Sequence, residues 1–460
     1  MSAFGRTADS TNRFRSAGLW TASRAESFGI PSTRLIGCLD DDWGGMGVPS
    51  LQPRTRGRNR SRKQDQGRVL VIAPQPFYED RGSPIAVLHV LNALSDSGFA
   101  VDLLTYPLGR DIVLPGLRTI RSANPLGIER VSIGFSLRKV VLDMGLVVEL
   151  RRRLRDTRYS CVHAVEESAF PAVLLARRLG IPVIYDMHSS LADQMTRRFL
   201  PRFLGLRPLI RRLERWLFNT TDLTLCSAGL EPYVLEIAPD VSVREWLFPG
   251  QTFEAETGET DSVRRDLGFS EDALIILYCG NFEPYQGLSD LLAAAPRVCE
   301  KIPNAVFLLV GASEARDFAL RGEALGLQRR GALRILPRQS RDDVGAYIHA
   351  ADVVVSPRRF GDNLPLKIFD YLAAGKPIVA ADTPTNRSAL DEMCAVFAGP
   401  TSEELVAAIV GLLKDDALAE RLGEAAKRHA DEHLSRAAFS RRLTNAYGHR
   451  LEHASRHGKG

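Results

Sequence analysis

Val69-Leu70-Val71-Ile72-Ala73, a polar loop, the run from Ser83 to Ser97, and then Val101-Asp102-Leu103-Leu104-Thr105 decide how this chain folds. The first flanking run has the length and unbroken apolar character of a buried strand, the second is apolar but for Asp102 and Thr105, and the run between them has the length of a helix. Ser83 is placed to cap that helix, Pro84 suits its first position because its φ is already helical, and Gly98 stops it. A strand, a crossover helix and a second apolar strand make a parallel pair. The alternation recurs at Cys161-Val162-His163-Ala164-Val165, at Pro182-Val183-Ile184-Tyr185-Asp186 and at Leu223-Thr224-Leu225-Cys226. After a polar stretch between Pro249 and Ser262 it resumes at Leu274-Ile275-Ile276-Leu277-Tyr278 and continues at Val306–Val310, Leu333–Leu336, Val353–Val355 and Pro377–Ala380. We expect an α/β protein of two facing, Rossmann-like, doubly wound domains, with a ligand cleft between them at the C-terminal ends of the strands. The expected boundaries are a tail over 1–66, an N-terminal domain over 67–250, a C-terminal domain over 251–430, and a C-terminal helix and tail over 431–460.

Composition excludes several classes. The chain has 460 residues with 45% hydrophobic and 25% charged, which rules out disorder throughout, collagen and coiled coil. No stretch approaches the roughly 18 apolar residues of a membrane span; the candidate Val140–Val148 is interrupted by Asp143. The net charge of +5 is confined to the tail: residues 1–66 hold 11 Lys/Arg and 6 Asp/Glu, leaving 49 of each beyond them. That segment has no apolar periodicity and ends in the basic run Arg54–Lys63, so we expect it to be disordered. An upstream extension from a wrongly chosen start codon accounts for it at least as well as a functional basic arm. The six cysteines show no paired ligand spacing, which fits reduced core thiols in a cytoplasmic protein, and no zinc site or nucleic-acid partner is expected.

The segment Gly361-Asp362-Asn363-Leu364-Pro365-Leu366-Lys367-Ile368-Phe369-Asp370, followed by Tyr371 to Pro377, carries the most chemistry. Pro365 opens a helix and Gly375 closes it. Asp362 and Asp370, eight residues apart, are placed to face one cleft, and the amides of Leu366 and Lys367 point outward as an anion site. Taken alone, the two aspartates read better as a cap and a solvated helix residue.

This segment resembles the Glu-x7-Glu signature of the group 1 retaining glycosyltransferases, enzymes of the two-Rossmann GT-B fold and similar to glycosyltransferase family 4. Tyr278-Cys279-Gly280-Asn281-Phe282-Glu283-Pro284-Tyr285-Gln286-Gly287 resembles the family's glycine-rich turn, and Arg81-Gly82-Ser83-Pro84-Ile85 resembles its phosphate-facing loop. The resemblance runs in order from about Gly67 to Arg450. It implies that Asp362 lies beside the donor sugar with His188, that Asp370 bonds the nucleotide ribose, and that Arg81, Gly82, Gly280, Asn281, Gln286, Leu366 and Lys367 line the donor site. His163 and Glu166, at the preceding strand end, fall on the acceptor side, where a structural role weighs as much. The turn departs from the family pattern: Asn281 and Gln286 stand where an Arg and a Lys usually meet the diphosphate. Two neutral donors do not replace two charge-assisted bonds of about 1.5–3 kcal/mol each, so Lys367 and Arg81 are the expected substitutes.

The resemblance implies transfer of a sugar from a nucleotide diphosphate donor to an unidentified acceptor, a glycan or a lipid-linked intermediate of the cell envelope, with no required metal or cofactor. An epimerase of the same fold and a non-catalytic nucleotide-sugar-binding scaffold are the rivals. Arg197, Arg198, Arg202, Arg207, Arg211, Arg212 and Arg215, interleaved with Phe199, Leu209, Leu213 and Trp216, read either as a solvated face over a core stripe or as a peripheral contact with an anionic membrane on its inner side.

Overall fold

The computed structural model describes residues 67–79, 82–131, 136–191, 207–250, 259–312, 322–361 and 364–457. The tail 1–66, most of the polar linker and the sequence-predicted residues Arg81 and Asp362 lie outside them.

The first sheet comprises β1 (Arg68–Ala73), β2 (Ala100–Thr105), β3 (Leu117–Arg121), β4 (Cys161–Val165), β5 (Val183–Met187), β6 (Leu223–Ser227) and β7 (Val243–Trp246). All pairs are parallel, in the order β3-β2-β1-β4-β5-β6-β7. The second contains β8 (Leu274–Cys279), β9 (Ala305–Ala312), β10 (Leu333–Pro337), β11 (Val353–Ser356), β12 (Ile378–Ala381) and β13 (Ala395–Ala398), again parallel, in the order β10-β9-β8-β11-β12-β13. Each order reverses once, between β1 and β4 and between β8 and β11. Connections leave in opposite directions at such a point, and the crevice opened there beyond the carboxyl ends of the strands is where open α/β sheets bind ligands. The expected fold class is what the structure has.

Helices cover both sheets. Those used below are α1 (Gly82–Asp96), α2 (Leu137–Asp156), α3 (Ala169–Ala176), α4 (Arg207–Thr220), α5 (Leu288–Lys301), α6 (Arg341–Ala350), α7 (Lys367–Ala373), α8 (Ser402–Lys414), α9 (Asp416–His433) and α10 (Arg436–His457). Leu142, Leu146, Leu150 and Leu154 of α2 repeat every fourth residue and are all buried on the first sheet. Leu291, Leu292, Ala295 and Val298 of α5, with Leu405, Ile409 and Leu412 of α8, do the same on the second. A third apolar cluster runs from Val69 and Val71 through Trp246 and Phe248 to Val354 and Phe369, and joins the two units. Among the described residues no helix is long and apolar enough to cross a membrane, and the five cysteines there are free thiols, four of them buried.

The edge strands β3 and β7 escape the sequence reading because polar residues interrupt them, and β13 escapes it although Ala395–Ala398 is apolar, being only four residues long. Leu117-Arg118-Thr119-Ile120-Arg121 buries only Ile120, as befits a strand with one bonded neighbour. The last helix does not trail away as a tail. It returns to the first unit, where Arg436 makes a two-bond ion pair with Asp96 of α1 (2.8 and 2.9 Å) and Thr444 Oγ1 meets Ser97 Oγ at 2.7 Å. Phe439 is 1% exposed and its ring lies 5.1 Å from Trp246 and 5.7 Å from Phe248. It pins α10 to the segment that leads out of the first sheet. Phe439→Ala empties this contact and should destabilise the protein by about 3–5 kcal/mol in denaturant unfolding; a loss below about 1 kcal/mol would mean that α10 is not fastened there.

Candidate active site

Gly82 opens α1 just after β1, and a Cβ built on it meets nothing within 4 Å, so a ligand has room to approach this helix start. Ser83, the next residue, holds His188 from across the switch point: Ser83 Oγ and His188 Nδ1 are 2.8 Å apart. His188 follows β5 directly, and its Nε2 donates to Asp186 Oδ2 at 3.2 Å. Burial alone would lower the His188 pKa, but the charge of Asp186 and the bond to it prevail and raise it. Burial likewise works against ionising Asp186, and the two histidines beside it hold its carboxyl well below the usual range.

Glu166 takes the first position after β4 with φ of 52°, the one non-glycine positive φ among the described residues. A side-chain-bearing residue held there costs on the order of 1–3 kcal/mol, and such strain concentrates at functional positions. Its carboxylate accepts from Ser189 Oγ at 3.0 Å. Burial, offset in part by His188, pushes its pKa up to about 7. Glu166 and His188 thus stand close enough beyond the ends of β4 and β5 for each to perturb the other's charge. His163 does not join them: it is 0% exposed, with Nε2 bonded to Asp186 at 3.0 Å and Nδ1 to the Tyr447 hydroxyl at 2.7 Å. Both ring nitrogens are used inside the fold, which removes it from the acceptor side.

In the second unit Gly280 leaves β8 with φ of 143°. A Cβ there would lie 3.0 Å from Lys367 Nζ and 3.1 Å from the Tyr278 hydroxyl, so glycine is what lets the turn close on the lysine. Gln286 is buried, donates to Asn281 Oδ1 at 3.0 Å and accepts from Lys367 Nζ at 3.3 Å. The ammonium also stands 3.7 Å from the centre of the Tyr278 ring. Burial, helped by repulsion from Arg358, holds the Lys367 pKa well below its usual value. Gln286 therefore orients Lys367 directly, and Asn281 does so through Gln286.

Arg358, two residues beyond β11, is a cation that sequence reasoning missed. Its guanidinium lies 5.2 Å over the Tyr285 ring, and its Nε donates to Phe360 O at 2.7 Å. The basic pair Arg358-Arg359 at a strand end was the available signal; Arg359 turns instead to Asp290 and the carbonyl of Gly399. Pro365 and Leu366 precede a helix of only seven residues, so less dipole reaches the anion site than the expected span from Pro365 to Gly375 would supply. Asp370, on that helix, pairs with Arg341 of α6 at 3.3 and 3.4 Å. Leu364 N donates to Ala228 O at 3.2 Å, tying the loop before α7 to the end of β6.

Residues 81–228 match the profile described as Glycosyltransferase Family 4, and residues 259–429 match the one described as Glycosyl transferases group 1. The chain belongs to this glycosyltransferase family. It is 24% identical over 386 residues to a D-inositol 3-phosphate glycosyltransferase of Kribbella flavida, covering 77% of this chain and 88% of that one. It is 26% identical over 376 residues to the phosphatidyl-myo-inositol mannosyltransferase of Mycobacterium leprae, covering 77% and 89%. The fold is shared with sucrose-phosphate synthase of Thermosynechococcus elongatus, with a TM-score of 0.67 at 19% identity over 83% of this chain and 98% of that one. An Anabaena protein, HepE, solved in complex with UDP-glucose gives 0.64 at 14%, covering 83% and 99%. Two Rossmann-like units in one GT-B fold are thus the architecture of this glycosyltransferase.

Glu166 supplies a pH test. Its folded pKa of about 7 lies above the model-compound value of 4.5, so the folded state binds the extra proton between these values and stability falls as pH rises through that window. Glu166→Gln removes this loss. The variant should be more stable than the parent at pH 8 and gain little at pH 4; equal gains at both would show that the carboxyl titrates normally.

Proposed function

We propose that this glycosyltransferase is a retaining enzyme that moves a sugar from a nucleotide diphosphate donor to a glycan or lipid-linked acceptor, with no required metal. One observation carries the proposal: Lys367, desolvated and oriented by Gln286, stands with Arg358 at the switch point of the second sheet, where a diphosphate would gain two charge-assisted partners. In that role the two cations stabilise the leaving diphosphate as positive charge develops on the sugar ring. His188 and Asp362 serve the sugar, Arg81 and Gly82 face the phosphates from the first unit, Asp370 reaches the ribose, and Glu166 meets the acceptor. The ion pair to Arg341 must then share Asp370 with the ribose hydroxyls. The solved neighbour holding UDP-glucose supports a nucleotide-sugar donor, and the inositol-linked acceptors named for two relatives support a polyol acceptor.

A peripheral membrane contact belongs to the same proposal. On α4, Leu209, Leu213 and Trp216 are exposed beside Arg207 and Arg212. On α2, which packs on α3 as α4 does, Leu137, Met144 and Val148 are exposed, with Arg151 and Arg155 further along. Apolar rows flanked by arginine suit an anionic lipid surface.

Incubating the full chain with radiolabelled nucleotide-sugars and bacterial membranes tests both parts. Label should appear in a new lipid-linked or glycan product, and the protein should sediment with the membranes. Conversion of the donor sugar without acceptor would favour an epimerase. Donor binding without turnover would favour the scaffold, the alternative that Asn281 and Gln286 suggest.

A further inference from the structure

Asp186 is 0% exposed and carries three donors. His163 Nε2 and His188 Nε2 reach its Oδ2 at 3.0 and 3.2 Å, and Trp246 Nε1 reaches its Oδ1 at 3.1 Å. An ionised carboxylate only accepts, so both imidazoles carry their proton on Nε2. His163 Nδ1 is then free to accept from the Tyr447 hydroxyl of α10 at 2.7 Å, while His188 Nδ1 is turned to Ser83 on the first turn of α1. Donors from β4, from the end of β5 and from the end of β7 meet at one carboxylate, and the C-terminal helix reaches it through His163.

We propose that Tyr447, His163 and Asp186 form a positioning chain that fixes the tautomer and orientation of His188, so that docking of α10 on the first unit is what completes the active-site histidine. The chain acts through His188 and rests on the reading of that residue as facing the donor; its own geometry is testable without any substrate. The Tyr447 ring is stacked on His163 with centroids 6.2 Å apart and lies 6.1 Å from Phe99. Its hydroxyl can therefore be removed while the ring stays packed. The titratable or charged groups that face His188 among the described residues are Asp186 beside it on β5 and Glu166 after β4, with Ser83 as a neutral partner from α1; His163 meets it through Asp186.

Nuclear magnetic resonance of the full chain labelled with 15N-histidine decides the matter. His188 should show a slowly exchanging Nε2 proton, and Asp186→Asn should lower its titration midpoint by about 1–3 pH units, the effect of removing an adjacent opposite charge. Tyr447→Phe should speed exchange of the His188 Nε2 proton. Leu443→Ala, which opens a cavity at a fully buried position of the same helix but keeps the Tyr447 hydroxyl, should not. An unchanged His188 midpoint in Asp186→Asn, or equal effects of Tyr447→Phe and Leu443→Ala, would reduce the chain to ordinary packing. Should Asp186→Asn not fold, the comparison at Tyr447 and Leu443 still gives the answer. Failure of sugar transfer would overturn the proposed function and leave these signals in place.

Discussion

A charged carboxylate at the centre of the first sheet is the constraint around which that half of the molecule is arranged. Asp186 has no exposure to water, and an unpaired charge there would cost several kcal/mol. Three hydrogen bonds offset that cost, and each comes from a different place: His163 on β4, His188 past the end of β5, and Trp246 at the end of β7. The register of β4 and β5, which sets His163 level with Ile184, is thereby tied to the return of α10 through Tyr447. The charged core and the aromatic packing of Phe439 on Trp246 and Phe248 hold the same helix.

The second half solves the opposite problem. Its turn after β8 carries Asn281 and Gln286 and no cation, and the positive charge beside it comes from beyond β11, through Lys367 and Arg358. Lys367 is held by a neutral amide and an aromatic face, and among the described residues no carboxylate pairs with it. A desolvated ammonium in such a setting is costly to the free protein and favourable to an anionic ligand, the usual opposition between stability and function at a binding site. Gly280 makes the arrangement sterically possible, because a side chain at that position would stand against the ammonium.

The sheets were legible because parallel strands buried on both faces leave continuous apolar runs, as at Val69–Ala73 and Val306–Val310, and Pro84 and Gly98 punctuate the helix between; Ser83 is not its cap, since α1 already includes Gly82 and the Ser83 hydroxyl meets His188. The edges were not, since a strand such as Leu117–Arg121 has one bonded neighbour and no apolar run to announce it. Motif order singled out Gly280, Gln286 and Lys367, which the fold brings together after β8, and His188, which it sets past the end of β5. It misassigned His163, whose partner Tyr447 lies 284 residues away and carries no local signal. It passed over Asp186 for the same reason: a strand-end aspartate reads as surface until His163 and Trp246, 23 and 60 residues away, are seen to join His188 on it. Arg358 was missed because its importance depends on what its neighbours Asn281 and Gln286 lack.

The central claim is that the cleft holds a nucleotide diphosphate through the relocated charge of Lys367. Calorimetric titration of UDP, ADP and GDP, and of the matching nucleosides, into the full chain and into Lys367→Ala tests it most directly. One diphosphate should bind the parent, and the variant should lose about 1.5–3 kcal/mol of that affinity while nucleoside binding changes little. Equal diphosphate affinity in the two proteins, or no binding of any diphosphate to the parent, would contradict the account.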